Sequence, residues 1–511
     1  MSMLGGLVLK RFSVRAALAA LILLPVAAAG FTASAEPAGA GLRWRPCAPQ
    51  SAGQCTTIPV PVDWADPGGA KFDLTIGRLP ATEPWHRIGV LFVAPGGPGG
   101  SGIDSYILNP GFPIGDALRK RFDIVSWDQR GVSRSNEVRC SADLLARAQR
   151  PFPSGDKEYR ELLAFNAELG ADCRKHTGPV FDHIDTTSAV RDLDAIRNAL
   201  GERKLSFYGA SYGTQVGQQY AELFGDRVRA MTIDSNMDHS LRSGSRYIET
   251  TSEDLEGSFG EFADWCARTA GCALHGRDVR AVWDDLLAKA EAGKLTDPAT
   301  GKPLDTEALR SELMGAMYRP ATRWFGLGDR LAALAGTAAA TPAQPAAADE
   351  LGQNSYQGIW CEDWKWRVSG AAELRTYRDR AARLAPHTKL SPFWTDVTSC
   401  LGWPAKVNNP QHRLSIDDGP PILIAKARYD VATPYRWNLA VADQIDDSVL
   451  LEYDGIGHGQ YYQSGCIRNH IERYLLTLRT PAPNTHCPAE YPTTRPATTQ
   501  SLPAPTPKPT H

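Results

Sequence analysis

Leu205-Ser-Phe-Tyr-Gly-Ala-Ser-Tyr-Gly-Thr-Gln-Val-Gly-Gln-Gln-Tyr220 decides the fold. Its first four residues make a short apolar run of the kind buried in a sheet, and Gly213 to Phe224 reads as a helix. Gly209-Ala-Ser211-Tyr-Gly213 therefore stands at a strand-to-helix turn. Gly-x-Ser-x-Gly alone is a common string, but in that setting it marks a nucleophile elbow. The glycines are needed because a sharp turn brings flanking backbones together and leaves no room for Cβ atoms. The helix N-terminus beneath Ser211 adds favourable potential for developing negative charge. A purely structural turn is the blander reading.

Working outward, Ile88 to Ala94, Phe122 to Trp127, Val228 to Asp234, Pro421 to Lys426 and Ser448 to Tyr453 are further short apolar runs. Such runs suit strands buried on both faces of a parallel sheet. Helical segments, notably Thr187 to Leu200, separate several of them, which predicts an α/β sheet with helices on both faces. Ahead of these, Thr57 to Trp64 and Phe72 to Leu79 alternate around Asp66-Pro-Gly-Gly69 and read as an antiparallel pair. Between Ser235 and Asp418 the strand pattern stops. That interval is helical in flavour, rich in Trp, and includes an Ala/Pro-rich stretch from Ala332 to Ala348. The expected organisation is a leader (1–35), a first core segment (36–238), a helical cap (239–418), a second core segment (419–487) and a Pro/Thr-rich, extended tail (488–511).

A serine hydroxyl needs a base, and the base needs a carboxylate to orient it. His458, in Asp454-Gly-Ile-Gly-His-Gly459 just after the last apolar run, projects from a glycine-rich loop. Asp430, in Ala427-Arg-Tyr-Asp-Val-Ala-Thr-Pro434, follows the preceding run. Together with Ser211 they give the order Ser, Asp, His expected of α/β-hydrolases. Asp234 is the rival acid, with bracing of a strand end as its plainer role; His239 and His470 read as packing or surface residues. Oxyanion donors are expected from the N–H groups of Gly97 and Tyr212. Gly97 lies in Val93-Ala-Pro-Gly-Gly-Pro-Gly-Gly-Ser-Gly102, where Pro98 has no N–H to give. A phosphate loop is the competing reading of those glycines, but no Gly-Lys-Ser/Thr ending follows.

The 511 residues carry 55 Lys+Arg, 57 Asp+Glu and 10 Cys. So even a charge balance lacks the basic footprint that nucleic-acid binding requires. Lys10, Arg11 and Arg15, the apolar run Ala16 to Ala29 and Thr32-Ala-Ser-Ala35 form a secretory signal with cleavage near Ala35. The run is too short for a membrane span, so stable membrane association is not expected. Export places the ten cysteines in an oxidising compartment. Pairing of neighbours in order (47–55, 140–173, 266–272, 361–400, 466–487) is the simplest connectivity. No Cys-x-x-Cys or His-x-x-x-His pair suggests a metal, and no cofactor is expected.

Gly96-Gly-Pro-Gly-Gly-Ser-Gly102, Trp127-Asp-Gln-Arg-Gly-Val-Ser133, Gly209-Ala-Ser-Tyr-Gly-Thr214, Ala427-Arg-Tyr-Asp430 and Gly457-His458 stand in an order and spacing that resembles the secreted tripeptidyl aminopeptidases. These are α/β-hydrolase serine exopeptidases related to proline iminopeptidases. The resemblance implies a Ser211, Asp430, His458 triad and the release of short peptides from free N-termini. Pro95 stands where proline iminopeptidases have His, which speaks against proline specificity. Asp128 and Arg130 are expected to brace the loop beside the oxyanion strand.

Such an enzyme must hold a substrate ammonium, for which a carboxylate is suited. The cap offers Glu253 and Asp254, and Glu362 and Asp363, the second pair beside Trp360, Trp364 and Trp366 that would wall an apolar pocket. A solvated helix face is the plainer role of such acids, and cap core that of the tryptophans. Peptides with a free N-terminus are the expected partners, and the sequence sets no oligomeric state. A carboxylesterase or lipase with the same triad is the first rival reading, and a catalytically silent binding protein the second.

Overall fold

The computed structural model describes residues 41–108, 112–148, 152–336 and 351–495. The expected leader, residues 337–350 of the Ala/Pro-rich region and the end of the tail lie outside them.

Ten of the described strands form one sheet. In chain order they are β1 (Arg45–Pro46), β2 (Gln54–Pro61), β3 (Lys71–Leu79), β4 (Gly89–Ala94), β5 (Phe122–Trp127), β7 (Leu205–Ala210), β8 (Val228–Asp234), β10 (Ile422–Tyr429), β11 (Ser448–Ile456) and β12 (Thr485–Cys487). The spatial order is β1-β2-β3-β5-β4-β7-β8-β10-β11-β12. β1, β2, β3 and β5 pair antiparallel, and from β5 to β12 every pairing is parallel. Two short strands, β6 (Arg139–Ser141) and β9 (Leu351–Gln353), pair antiparallel outside this sheet.

The unbroken apolar runs have a simple cause. In β4, Val90, Phe92 and Ala94 join the core on one face of the sheet while Leu91 and Val93 join the core on the other. Side chains alternate across a strand, so a strand covered on both sides has no polar position to offer. Helices Thr186–Ala199 and Tyr212–Phe224 cover the first face, and Gly465–Thr477 covers the second with Ile467, Ile471 and Leu475.

Expected and observed elements differ in several places. β7 runs on through Gly209 and Ala210, and β10 runs on to Tyr429, because each stays paired with a neighbouring strand that far. The long interval after β8 is not strand-free, since β9 adds to β6. The tail is not loose at its start: Tyr491 stacks on Trp324 (5.6 Å, 16°), the Trp265 indole N–H donates to the Pro492 carbonyl (2.9 Å) and Arg495 pairs with Asp329 (2.5 Å).

Between β8 and β10 the chain is built chiefly of helices. They are Gly244–Arg268, Val279–Glu291, Thr306–Met317, Pro320–Leu334, Ser355–Asp363, Ala371–Leu384 and Trp394–Thr398. Three begin with a side-chain cap, Ser243, Asp278 and Asp305 accepting the N–H of Arg246, Ala281 and Ala308. All ten cysteines are paired, in the neighbour-to-neighbour order expected. Among the described residues no helix is long and apolar enough to cross a membrane.

Candidate active site

β7 ends at Ala210 and the next helix begins at Tyr212, so Ser211 alone makes the turn, at φ 58° and ψ −129°. A non-glycine residue with positive φ is held there by its surroundings at a cost. The surroundings are tight. A Cβ on Gly213 would lie 2.6 Å from the Ala94 carbonyl oxygen, and one on Gly96 would lie 3.0 Å from the Ser211 Cβ. Glycine at these positions lets the Gly96–Gly102 loop lie against the serine. That loop is fastened near its end by Asp128, which accepts the Ser101 hydroxyl (2.5 Å) and the Arg134 guanidinium (2.9 Å). Arg130 braces from deeper, forking onto Asp192 with two bonds of 2.7 Å.

His458 and Asp430 lie side by side. Nδ1 of His458 lies 2.8 and 3.0 Å from the two Asp430 oxygens. Asp430 is buried and also accepts the N–H groups of Ala432 and Thr433 (3.0 Å each) and the Thr433 hydroxyl (2.9 Å). Burial alone would raise its pKa, but the charge and hydrogen bond of His458 and the local donors hold it below the ordinary value.

Asp234 occupies a different place. Its carboxylate accepts the N–H groups of Gln460 (2.8 Å) and Tyr461 (2.9 Å) and the Tyr208 hydroxyl (2.9 Å). Ser235, next in the chain, accepts the Gly459 N–H at 2.8 Å. These bonds grip the segment just after His458 and leave the imidazole to Asp430.

The four cap acids fall into two groups. Glu362 and Asp363 are fully buried at the start of helix Thr186–Ala199: Glu362 accepts the Ile184 N–H (3.1 Å), and Asp363 accepts the Thr186 N–H (2.9 Å) and the Asn409 amide (2.8 Å). Burial, with the Asp185 charge next, raises Glu362 well above the usual carboxylate range and pushes Asp363 up to about 7. Asp254 is buried beside the Asp430 loop, accepting the N–H groups of Tyr435 (3.3 Å) and Asp430 (3.5 Å), and burial pushes it up to about 7. Glu253 is half-exposed and pairs with Arg436 at 3.3 Å. Of Trp360, Trp364 and Trp366 only Trp366 borders an open pocket, beside Tyr159, Leu163 and Glu373 and away from the triad residues. The three rings stack on one another at 4.7 and 5.2 Å and are buried as cap core. Buried His239 is packing, its Nε2 facing the Asp363 carbonyl at 2.9 Å, and burial lowers its pKa to about 3.

Two neighbours of the site carry no recognisable motif. Tyr318 stands edge-on to the His458 ring (5.1 Å), and its carbonyl accepts the His458 N–H (3.3 Å) and the Gln463 side-chain amide (2.9 Å). Asp396 is buried and accepts the hydroxyls of Tyr247 (2.7 Å) and Tyr356 (3.0 Å). Tyr356 sits on the glycine loop, since a Cβ on Gly99 would lie 2.8 Å from its N.

Comparison with known proteins places this site in a family. The tripeptidyl aminopeptidase of Streptomyces lividans is 32% identical over 491 residues, covering 91% of this chain and 89% of that protein. The chain belongs to the tripeptidyl aminopeptidase family of α/β-hydrolases. The domain family described as "TAP-like protein" matches residues 388–487, the stretch that carries Asp430 and His458. Other members are similar across nearly the same length. Serine protease Hip1 of Mycobacterium tuberculosis is 30% identical over 92% of this chain and 96% of its own. A protein of that organism named Carboxylesterase B is 29% identical over 85% of this chain and 86% of its own. This member of the tripeptidyl aminopeptidase family is accordingly an enzyme, a serine hydrolase of peptidase type.

Proposed function

We propose that this enzyme is a secreted aminopeptidase that releases short peptides, tripeptides by its family likeness, from free N-termini through an acyl-enzyme. The observation that carries the reading is the hold of Asp430 on His458 Nδ1 at 2.8 and 3.0 Å, in a chain whose Ser211 is forced into a positive-φ elbow. Nδ1–H donated to Asp430 leaves Nε2 as the base. Nε2 takes the Ser211 proton as Oγ attacks the scissile carbonyl, and returns it to the leaving amine. The N–H groups of Gly97 and Tyr212 hold the oxyanion. Water then attacks the acyl-serine with His458 again as base. The leader is removed near Ala35, and residues 239–418 act as the cap over the site.

For the substrate ammonium we favour Asp396 over the four acids expected. Glu362 and Asp363 are engaged with backbone amides near Thr186, and Glu253 with Arg436. Asp396 is held by two tyrosines, and together with Asp430 it raises the pKa of Tyr318, the ring that touches His458, after burial has had the larger effect. Aromatic faces beside a carboxylate suit a cation. The esterase reading draws support from the Carboxylesterase B relative.

Chromogenic peptides with free and acetylated N-termini, assayed beside short-chain esters, separate the two. Preference for the free N-terminus, lost in Asp396→Asn and abolished with all turnover in Ser211→Ala, is the expected result. Equal cleavage of blocked and free peptides sinks the aminopeptidase reading.

A further inference from the structure

Arg319 joins Tyr318 to the helix Pro320–Leu334, so it sits one residue from the carbonyl that receives the His458 N–H. Its guanidinium lies over the rings of Phe112 (5.4 Å) and Tyr462 (5.0 Å). Among the described residues the guanidinium has no ion pair and no hydrogen bond. Other arginines withdrawn from water in this chain have acceptors for their donors: Arg130 has Asp192, Arg310 has Glu307, Arg330 has Glu312, and Arg119 and Arg229 have the Leu79 and Leu475 carbonyls. Asp234, a carboxylate near enough to act on Arg319, is already taken by Gln460, Tyr461 and Tyr208. A partly buried guanidinium held between two aromatic faces, with its donors unused, is suited to a planar anion arriving from outside.

Where that anion belongs follows from the chemistry of the adjacent histidine. In amide cleavage His458 hands its proton to the leaving amine, so the leaving fragment must run past the imidazole. Arg319 is held on the segment that clasps that imidazole, and Phe112 and Tyr462 flank it from the chain following the glycine loop and from the turn after His458. We infer that Arg319 forms a subsite for a carboxylate on the leaving fragment of the peptide. That carboxylate is either the free C-terminus of a substrate only one residue longer than the released tripeptide or an acidic side chain on the first leaving residue. The inference rests on the aminopeptidase reading and narrows its substrates.

Tetrapeptides of one sequence resolve the two sources: a free acid against its C-terminal amide, and, within the amides, Glu against Gln as fourth residue. The native enzyme should favour one carboxylate form through KM by about tenfold or more, as expected for one charge-assisted contact. The advantage should shrink as salt rises. In Arg319→Gln the ratio of kcat/KM between carboxylate and neutral partner should collapse towards one, and Arg319→Lys should keep part of it. A packing role would slow both members of each pair alike and leave the ratio intact, which overturns the subsite. So does a ratio near one in the native enzyme, a measurement that needs no variant to fold. Cleavage of none of these free-N-terminus peptides fails the aminopeptidase reading itself, and is distinct from cleavage without a carboxylate preference.

Discussion

Ser211 donates its N–H to the Asp234 carbonyl at 3.0 Å, and the same Asp234 turns its carboxylate to the N–H groups of Gln460 and Tyr461 at 2.8 and 2.9 Å. One residue at the end of β8 thus fixes both the elbow and the turn that carries His458. The elbow and the turn after His458 are thereby tied to one strand end, through backbone N–H groups at each side.

This separates two carboxylates that sequence alone leaves in competition. Asp430→Asn should lower kcat by about 10⁴, because the amide presents the wrong tautomer to His458. Asp234→Asn should instead cost stability, on the order of 1–3 kcal/mol, since an amide NH₂ faces groups that already donate. Its turnover should fall less than that of Asp430→Asn. The reverse ranking in steady-state kinetics would reassign the acid.

Ser211 sits at φ 58°, so the proposed nucleophile is also a strained residue. Ser211→Gly and Ser211→Ala should both be inactive, yet Gly should be the more stable of the two by about 1 kcal/mol because only Gly adopts positive φ freely. Equal chemical-denaturation midpoints would show that the elbow stores no strain.

Asp254 is an acid whose pKa burial raises to about 7, with the Asp430 charge adding to the shift. A carboxyl that binds its proton more tightly folded than unfolded subtracts stability as pH rises. Stability should therefore fall between about pH 4 and pH 7 by at most about 4 kcal/mol from this group. Asp254→Asn, which keeps an oxygen for the Tyr435 N–H, should make that decline shallower in unfolding curves measured at successive pH values, Asp363 and Glu362 keeping the remainder. An unchanged slope would contradict the assignment.

Tyr491 tests the hold of the tail on the cap, because its ring stacks on Trp324 and its hydroxyl donates to Glu261 at 2.9 Å. Tyr491→Ala should destabilise by about 1–3 kcal/mol, and hydrogen exchange should quicken in the helix Pro320–Leu334. Protection there equal to that of the native protein would mean that the tail only rests on the surface.

What was legible in the sequence tracks how local its causes are. Val228–Asp234 and Phe122–Trp127 stand as strands at the bounds expected, because burial on both faces leaves an apolar run that cannot be mistaken for a solvated element. Ser211, Asp430 and His458 announce themselves through the glycines and turns around them. The cap acids do not, since Glu362 and Asp363 have their partners at Ile184 and Thr186, far away in the chain, and no spacing rule reports such a contact. Asp396 and Tyr318 were silent for the same reason. A proline after Arg319 marks only that a helix starts there.

The order of the residues along the chain has a consequence for when the enzyme becomes active. Ser211 lies before the cap, while Asp430, His458 and the Cys466–Cys487 link that ties the following helix to β12 all lie after it. On the proposed triad, a chain still emerging from the ribosome holds Ser211 and most of residues 239–418 before either proposed partner of the serine exists. The proposed hydrolytic centre is thus completed only by the last strands to arrive, and until then the nascent chain holds a serine with no base to activate it.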